Sequence, residues 1–298
     1  MSLPKFFLDS CDPAATRDMK STVGKIDGQT TNPTLLVKNP EVQKRVQGGK
    51  IKEVDLLALY KQAIQEIDSV IPGGAISIEV YADWNTPAKE MLRQAESMYA
   101  WIPNAYMKFP TIPEGLKAAY EFTSKGGRVN MTLVFDQEQA AAVYSATRNT
   151  GSPAFVSPFL GRWDDRGYQG VDLVKNIVQM YRAFDSVRHP EQREGSHKKS
   201  HVEVLAASIR TMDHFYASIA YGADIITAPL VTFQKWVAEG RKVPESFEVS
   251  TKNLQFITYK DLQYTDDFAS YLIDRSESGL LHVGLTKFVS DWDGVVER

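Results

Sequence analysis

What most limits the fold of this chain is a rhythm. Short β-branched or aromatic runs alternate with longer segments whose apolar residues recur at helical spacing. The runs at residues 6–8, 24–27, 75–80, 104–109, 128–133, 154–157, 201–206 and 224–227 read as strands. Residues 87–101, 114–124, 137–146, 171–184, 211–221 and 230–238 read as helices between them. Such alternation predicts parallel strands joined by crossover helices, and about eight repeats is the number at which the unit closes on itself. The expected fold is α/β, a (β/α)8 TIM barrel occupying residues 1–298 as a single domain, since no Gly- or Pro-rich linker divides the chain. Two segments break the rhythm. Residues 187–200 are polar and turn-rich and read as a solvated loop before the seventh strand. Residues 243–298 read as a C-terminal helical extension. Near its end Leu280, Leu281, Leu285, Phe288, Val289 and Trp292 mark an amphipathic helix over residues 279–297, packing on the barrel or on a neighbouring subunit of a homo-oligomer.

Composition excludes several kinds of partner. The formal net charge is -3, so no polybasic surface advertises nucleic acid or an anionic membrane. The single cysteine, Cys11, rules out an internal disulfide and a thiolate metal cluster, and favours a reducing cytoplasm. The apolar stretch before Asp9 is too short for a signal peptide, and no window approaches a membrane span. His189, His197, His201, His214 and His282 lack a metal-ligand spacing, and no Gly-rich dinucleotide fingerprint is present, so neither metal nor cofactor is expected.

Against this background one residue is out of place. Lys108 lies in Asn104-Ala-Tyr-Met-Lys-Phe-Pro-Thr111, an otherwise uncharged, largely apolar run. Low-polarity neighbours disfavour the ammonium form and suit an amine that attacks a carbonyl to form a Schiff base. The alternative is an edge-strand lysine whose stem packs while its head reaches water.

Other strands offer polar groups at the same end, where the active sites of such barrels lie. Asp9 closes the first strand, and is either functional or a cap for the next helix, a task for which Asp12 before Pro13 is better placed. Asn32, before Pro33, is either functional or turn chemistry. Glu79, between Ile78 and Val80, is costly to bury unless paired, with Lys108 or a water as its partner. Asn130 and Thr132 share one strand face, although a β-branched Thr is also ordinary in a strand, and Ser157 ends the sixth run. Arg162 and the Ser208-Ile-Arg210 segment supply guanidinium forks and a hydroxyl suited to phosphate; alternatively each arginine pairs with Asp164, Asp165 or Asp213.

Taken together, six windows resemble the transaldolases. They are Phe7-Leu-Asp9, Asp27-Gly-Gln-Thr-Thr-Asn-Pro33, Met107-Lys-Phe-Pro-Thr111, Val129-Asn-Met-Thr-Leu-Val-Phe135, Val156-Ser-Pro-Phe-Leu-Gly-Arg162 and Leu205-Ala-Ala-Ser-Ile-Arg210, in the family's order. The resemblance implies a class I aldolase barrel with a Schiff-base lysine and no metal, acting on small sugar phosphates. It implies Lys108 as nucleophile, Asp9 as acid/base at the C4 hydroxyl, and Glu79 and Thr132 working through a water. Asn32, Asn130 and Ser157 would hold the hydroxyls of the three-carbon fragment, Phe159 would line the substrate site without a hydroxyl to donate, and Arg162, Ser208 and Arg210 would hold the phosphate. Fructose-6-phosphate aldolases, shorter relatives, typically carry Tyr at the position of Phe159 and Gln at that of Glu79, so both positions are transaldolase-like here. Tyr81, Trp163 and the 187–200 loop depart from the family's usual pattern and are expected to shape the acceptor side of the mouth. A sulfonate in place of phosphate, and a catalytically silent barrel used for binding, remain open alternatives on sequence alone.

Overall fold

A computed structural model describes residues 3–188, 200–244 and 253–297. Eight parallel strands close into a barrel in sequence order. They are β1 (Lys5–Asp9), β2 (Gly28–Thr30), β3 (Ala75–Glu79), β4 (Ala105–Pro110), β5 (Val129–Val134), β6 (Ala154–Pro158), β7 (Val202–Ala206) and β8 (Ile225–Ala228). Around them run α1 (Pro13–Val23), α2 (Pro33–Val37), α3 (Pro40–Val46), α4 (Glu53–Val70), α5 (Ala88–Tyr99), α6 (Pro113–Ser124), α7 (Gln137–Ala146), α8 (Leu160–Asp164), α9 (Val171–Arg188), α10 (Met212–Ala220), α11 (Leu230–Ala238) and α12 (Leu280–Val295).

The second strand is not where hydrophobicity points. Residues 24–27 are the linker, and Gly28–Thr30 is the strand. Gly24, at φ 91°, terminates α1 by donating its N–H to Lys20 O, and Ile26 is buried outside the barrel wall. Gly28 is required where it stands: a Cβ there would lie 2.6 Å from the Phe7 ring and 2.3 Å from Ala75 O. The long helix α4 was also not among the expected helices, although Leu56, Tyr60, Ala63, Ile64 and Ile67 are buried at helical spacing.

Because strand side chains alternate, the inward set forms layers. At the bottom Lys5 pairs with Glu203 at 2.7 Å. At the waist Phe7, Phe155, Leu205 and Ile225 pack with Tyr106, whose ring stacks on Phe155 at 4.1 Å. Burying each of these aromatic rings contributes about 2–3 kcal/mol, so the waist is a plug and not a channel. Polar residues occupy the layer above it.

The C-terminal segment differs from the helical extension expected. Among the described residues, 253–279 contains one 3-10 turn, Phe268–Ser270, and an isolated bridge of Gln255 to Tyr168. It is a strap whose backbone carbonyls are held by side chains of α7 and α9: Gln137 to Lys260 O, Ser145 to Thr265 O and Asn176 to Ile257 O. Only α12 is helical, and it lies against α2 of its own chain. The expected loop at 187–200 begins as the end of α9, and its residues 189–199, with His189 and His197, lie outside the described residues. No described helix is long and apolar enough to cross a membrane.

Candidate active site

Strand register sets the central pair. Glu79 on β3 is level with Lys108 on β4, and Lys108 with Asn130 on β5. Lys108 Nζ lies 3.0 Å from Glu79 Oε2 and donates to Thr31 O at 3.1 Å, with the side chains 4% and 3% exposed. Lys108 is therefore a core residue of the barrel interior and not an edge-strand lysine. Burial pushes the Glu79 carboxyl up to about 7, the neighbouring lysine opposes that rise and the Asp9 charge adds to it.

Asp9 does not cap α1. That task falls to Asp12, whose side chain accepts from Ala14 N at 2.9 Å. The Asp9 carboxylate accepts from Thr30 Oγ1 at 2.8 Å, and Thr30 Oγ1 also meets Thr227 Oγ1 at 2.6 Å. As Thr30 has donated its proton to Asp9, Thr227 donates to Thr30. Burial raises the Asp9 proton affinity, while Lys108, the Thr30 bond and Lys38 oppose it.

A second chain crosses the layer. Ser157 Oγ donates to Asn130 Oδ1 at 2.7 Å, and Asn130 Nδ2 donates to Ser77 Oγ at 3.0 Å. Thr132 Oγ1 and Glu79 Oε2 are buried oxygens with no hydrogen bond of acceptable geometry, although Oε2 makes the ion pair with Lys108. Such atoms are natural partners for a water or a reacting hydroxyl.

Above the layer opens a cavity of about 440 Å³. Asp9, Asn32, Lys108, Ser157, Phe159, Arg162, Ser208 and Arg210 all line it. Glu79, Asn130 and Thr132 are buried beside Lys108's strand and do not line the cavity themselves. Asn32 serves twice, since its side-chain oxygen caps α2 by accepting from Leu35 N at 2.8 Å while the residue faces the cavity. Arg210 forks onto Asp165, with Nη2 to Oδ2 at 2.8 Å, so the alternative of an acidic partner holds for this arginine even as it lines the cavity. Ser208 adopts a left-handed φ of 58°.

Among the lining residues not expected at the site, Thr30, Thr227, Lys38 and Phe288 bear on its chemistry and shape. The first two are hidden because a β-branched residue in a strand is unremarkable. Lys38 ends the unread helix α2, and Phe288 comes from α12, whose docking place sequence does not specify. Two residues expected to shape the mouth are engaged elsewhere. Trp163 Nε1 donates to Phe135 O at 2.7 Å, and Tyr81 packs on Trp292 and donates to Asp293 at 3.2 Å; neither lines the cavity.

Residues 6–298 match the family model described as transaldolase/fructose-6-phosphate aldolase. A probable transaldolase of Paracoccus denitrificans is 32% identical over 225 residues, covering 76% of this chain and 85% of the relative. One of Brucella ovis is 34% identical over 233 residues, covering 78% and 88%. One of Parabacteroides distasonis is 34% identical over 226 residues, covering 76% and 87%.

Proposed function

The chain belongs to the transaldolase/fructose-6-phosphate aldolase family, and on that premise we propose that it transfers a dihydroxyacetone unit between sugar phosphates through a Schiff base on Lys108. The observation that carries the reading is the buried pairing of Lys108 Nζ with Glu79 Oε2 at 3.0 Å beside a cavity lined by Asp9 and two arginines. The donor would be sedoheptulose 7-phosphate or fructose 6-phosphate, and the acceptor erythrose 4-phosphate or glyceraldehyde 3-phosphate, as in the pentose phosphate pathway.

Lys108, having passed its ammonium proton to Glu79, adds as the amine to the ketose C2 carbonyl. A proton carried through Glu79 and a water held by Thr132 lets hydroxide leave the carbinolamine as water, giving the iminium. A carboxyl of pKa about 7 is suited to giving and retaking that proton at neutral pH. Asp9 then takes the C4 hydroxyl proton, the C3–C4 bond breaks, and its electrons neutralise the iminium to an enamine as the aldehyde departs. The enamine attacks the acceptor aldehyde, Asp9 returns its proton to the new hydroxyl, and hydrolysis frees Lys108. Asn32 and Ser157 hold the fragment's hydroxyls, Asn130 orients Ser157 from the buried layer, and Arg162, Ser208 and Arg210 grip the phosphate.

Release of free dihydroxyacetone, as in an aldolase, requires protonating the enamine at carbon. Phe159 packs on Phe135 at 5.6 Å and offers no hydroxyl at the cavity, which favours transfer over release. The test is sodium borohydride with fructose 6-phosphate, followed by peptide mass analysis. A reduced adduct on Lys108, abolished in Lys108→Met, is expected; absence of the adduct refutes the Schiff base. Scoring transfer against dihydroxyacetone release across donors and acceptors then separates transaldolase from aldolase.

A further inference from the structure

We infer that His214 is a positioning residue of the anion clamp, locking the arm that carries Arg210 to the arm that carries Arg162. The inference rests on the assignment of Arg162, Ser208 and Arg210 to phosphate made above. The two arms leave different strands: α8, with Arg162 and Asp164, follows β6, and the Ser208–Arg210 turn follows β7. The imidazole of His214, on α10 and only 6% exposed, lies between them. Its Nδ1 accepts from the Arg210 backbone N–H at 3.3 Å, and its Nε2 meets Asp164 Oδ2 at 2.7 Å.

The donor assignment is fixed by chemistry. A backbone N–H only donates, so Nδ1 is unprotonated and Nε2 carries the hydrogen that goes to Asp164. Asp164 is in turn tied to its own arm, accepting from Gly170 N at 2.9 Å through Oδ1. The ring thus bridges the backbone of one arm to a carboxylate of the other.

The bridge has strain and crowding to restrain. Ser208 sits at φ 58°, a conformation an L-residue holds only when its surroundings enforce it. Arg210 lies so close over Gly161 that a Cβ there would be 2.4 Å from its Nε and 2.8 Å from Ser208 O. The arms also share a backbone bond, Gly161 N to Ser208 O at 3.2 Å. That bond fixes their separation at the base, and His214 fixes it from the side of α10.

The test compares His214→Asn, which keeps an acceptor near Arg210 N but is too short for Asp164, with His214→Gln, which is long enough to donate to Asp164. Both are assayed with fructose 6-phosphate, with unphosphorylated fructose as donor, and with inorganic phosphate as a competitive inhibitor, after thermal unfolding confirms a folded protein. For His214→Asn the KM for fructose 6-phosphate and the inhibition constant of phosphate are each expected to rise roughly tenfold, the scale of a lost charge-assisted hydrogen bond. Turnover at saturation and the kinetics with fructose are expected to move less than about twofold. His214→Gln, which keeps the donor to Asp164 but loses the acceptor for the Arg210 N–H, is expected to show a rise of the same order, because each variant cuts one end of the bridge. Equal losses with both sugars, or an unaltered phosphate inhibition constant, overturn the inference. Arg162→Gln, measured alongside, separates the two levels. If it weakens phosphate while His214→Asn does not, only the role of His214 falls; if it too leaves phosphate inhibition unchanged, the phosphate assignment falls and His214 with it.

Discussion

Two carboxyls, Asp9 and Glu79, share the buried layer with Lys108, and both are held above their ordinary proton affinity chiefly by burial. For Glu79 the folded value of about 7 stands above the ordinary 4.5. Between those values the native protein holds a proton that the unfolded chain has released. Its contribution to stability is therefore full below pH 4.5 and lost as pH rises through about 7, with a slope of up to about 1.4 kcal/mol per pH unit. Glu79→Gln is expected to remove that slope, so urea unfolding at several pH values should show the variant gaining on the wild type as pH rises; parallel curves would contradict the shift. Residue-scale legibility follows the same physics. A charge inside an apolar run announces itself, which is why Lys108 and Glu79 were visible in the sequence. Thr30 and Thr227, which complete the bonds to Asp9, use residue types that strands employ for shape alone, and so carry no signal.

At the scale of elements, most of the strands and seven of the helices were legible because burial on one side imposes a period. Strand β2 was not, because what it contributes inward is an absence of bulk. Gly28 makes room for Phe7, and Thr30 serves Asp9. Gly28 is no strand former and Thr30 stands in the polar run Gln29-Thr-Thr31, while the nearby Ile26 supplies the apolar β-branched signal. Gly28→Ala is expected to cost about 3 kcal/mol, because the added methyl meets backbone at Ala75 O as well as the Phe7 ring, and backbone yields least. Chemical denaturation measures this directly, and a cost under about 0.5 kcal/mol would mean that the wall gives way more easily than close packing allows. The strap at 253–279 escaped for another reason: its order comes from side chains of α7 and α9 capturing its carbonyls, a pattern with no periodicity of its own.

For the molecule as a whole, the aromatic waist has a consequence for traffic. Phe7, Tyr106 and Phe155 close the barrel beneath Lys108, so under the proposed transfer the donor, the departing aldehyde and the incoming acceptor would share one cavity, lined by Phe159 and Phe288 and by the arginines proposed to hold phosphate. Visitors to such a room must take turns. An acceptor phosphate that enters before the donor has been cleaved occupies the place the donor needs and has no enamine to meet. Rising acceptor concentration at fixed donor is therefore expected to slow turnover, and added donor to relieve it, in steady-state assays; acceptor saturation without inhibition would point to a second entrance. The plug that stabilises the barrel thereby also enforces the order of the queue.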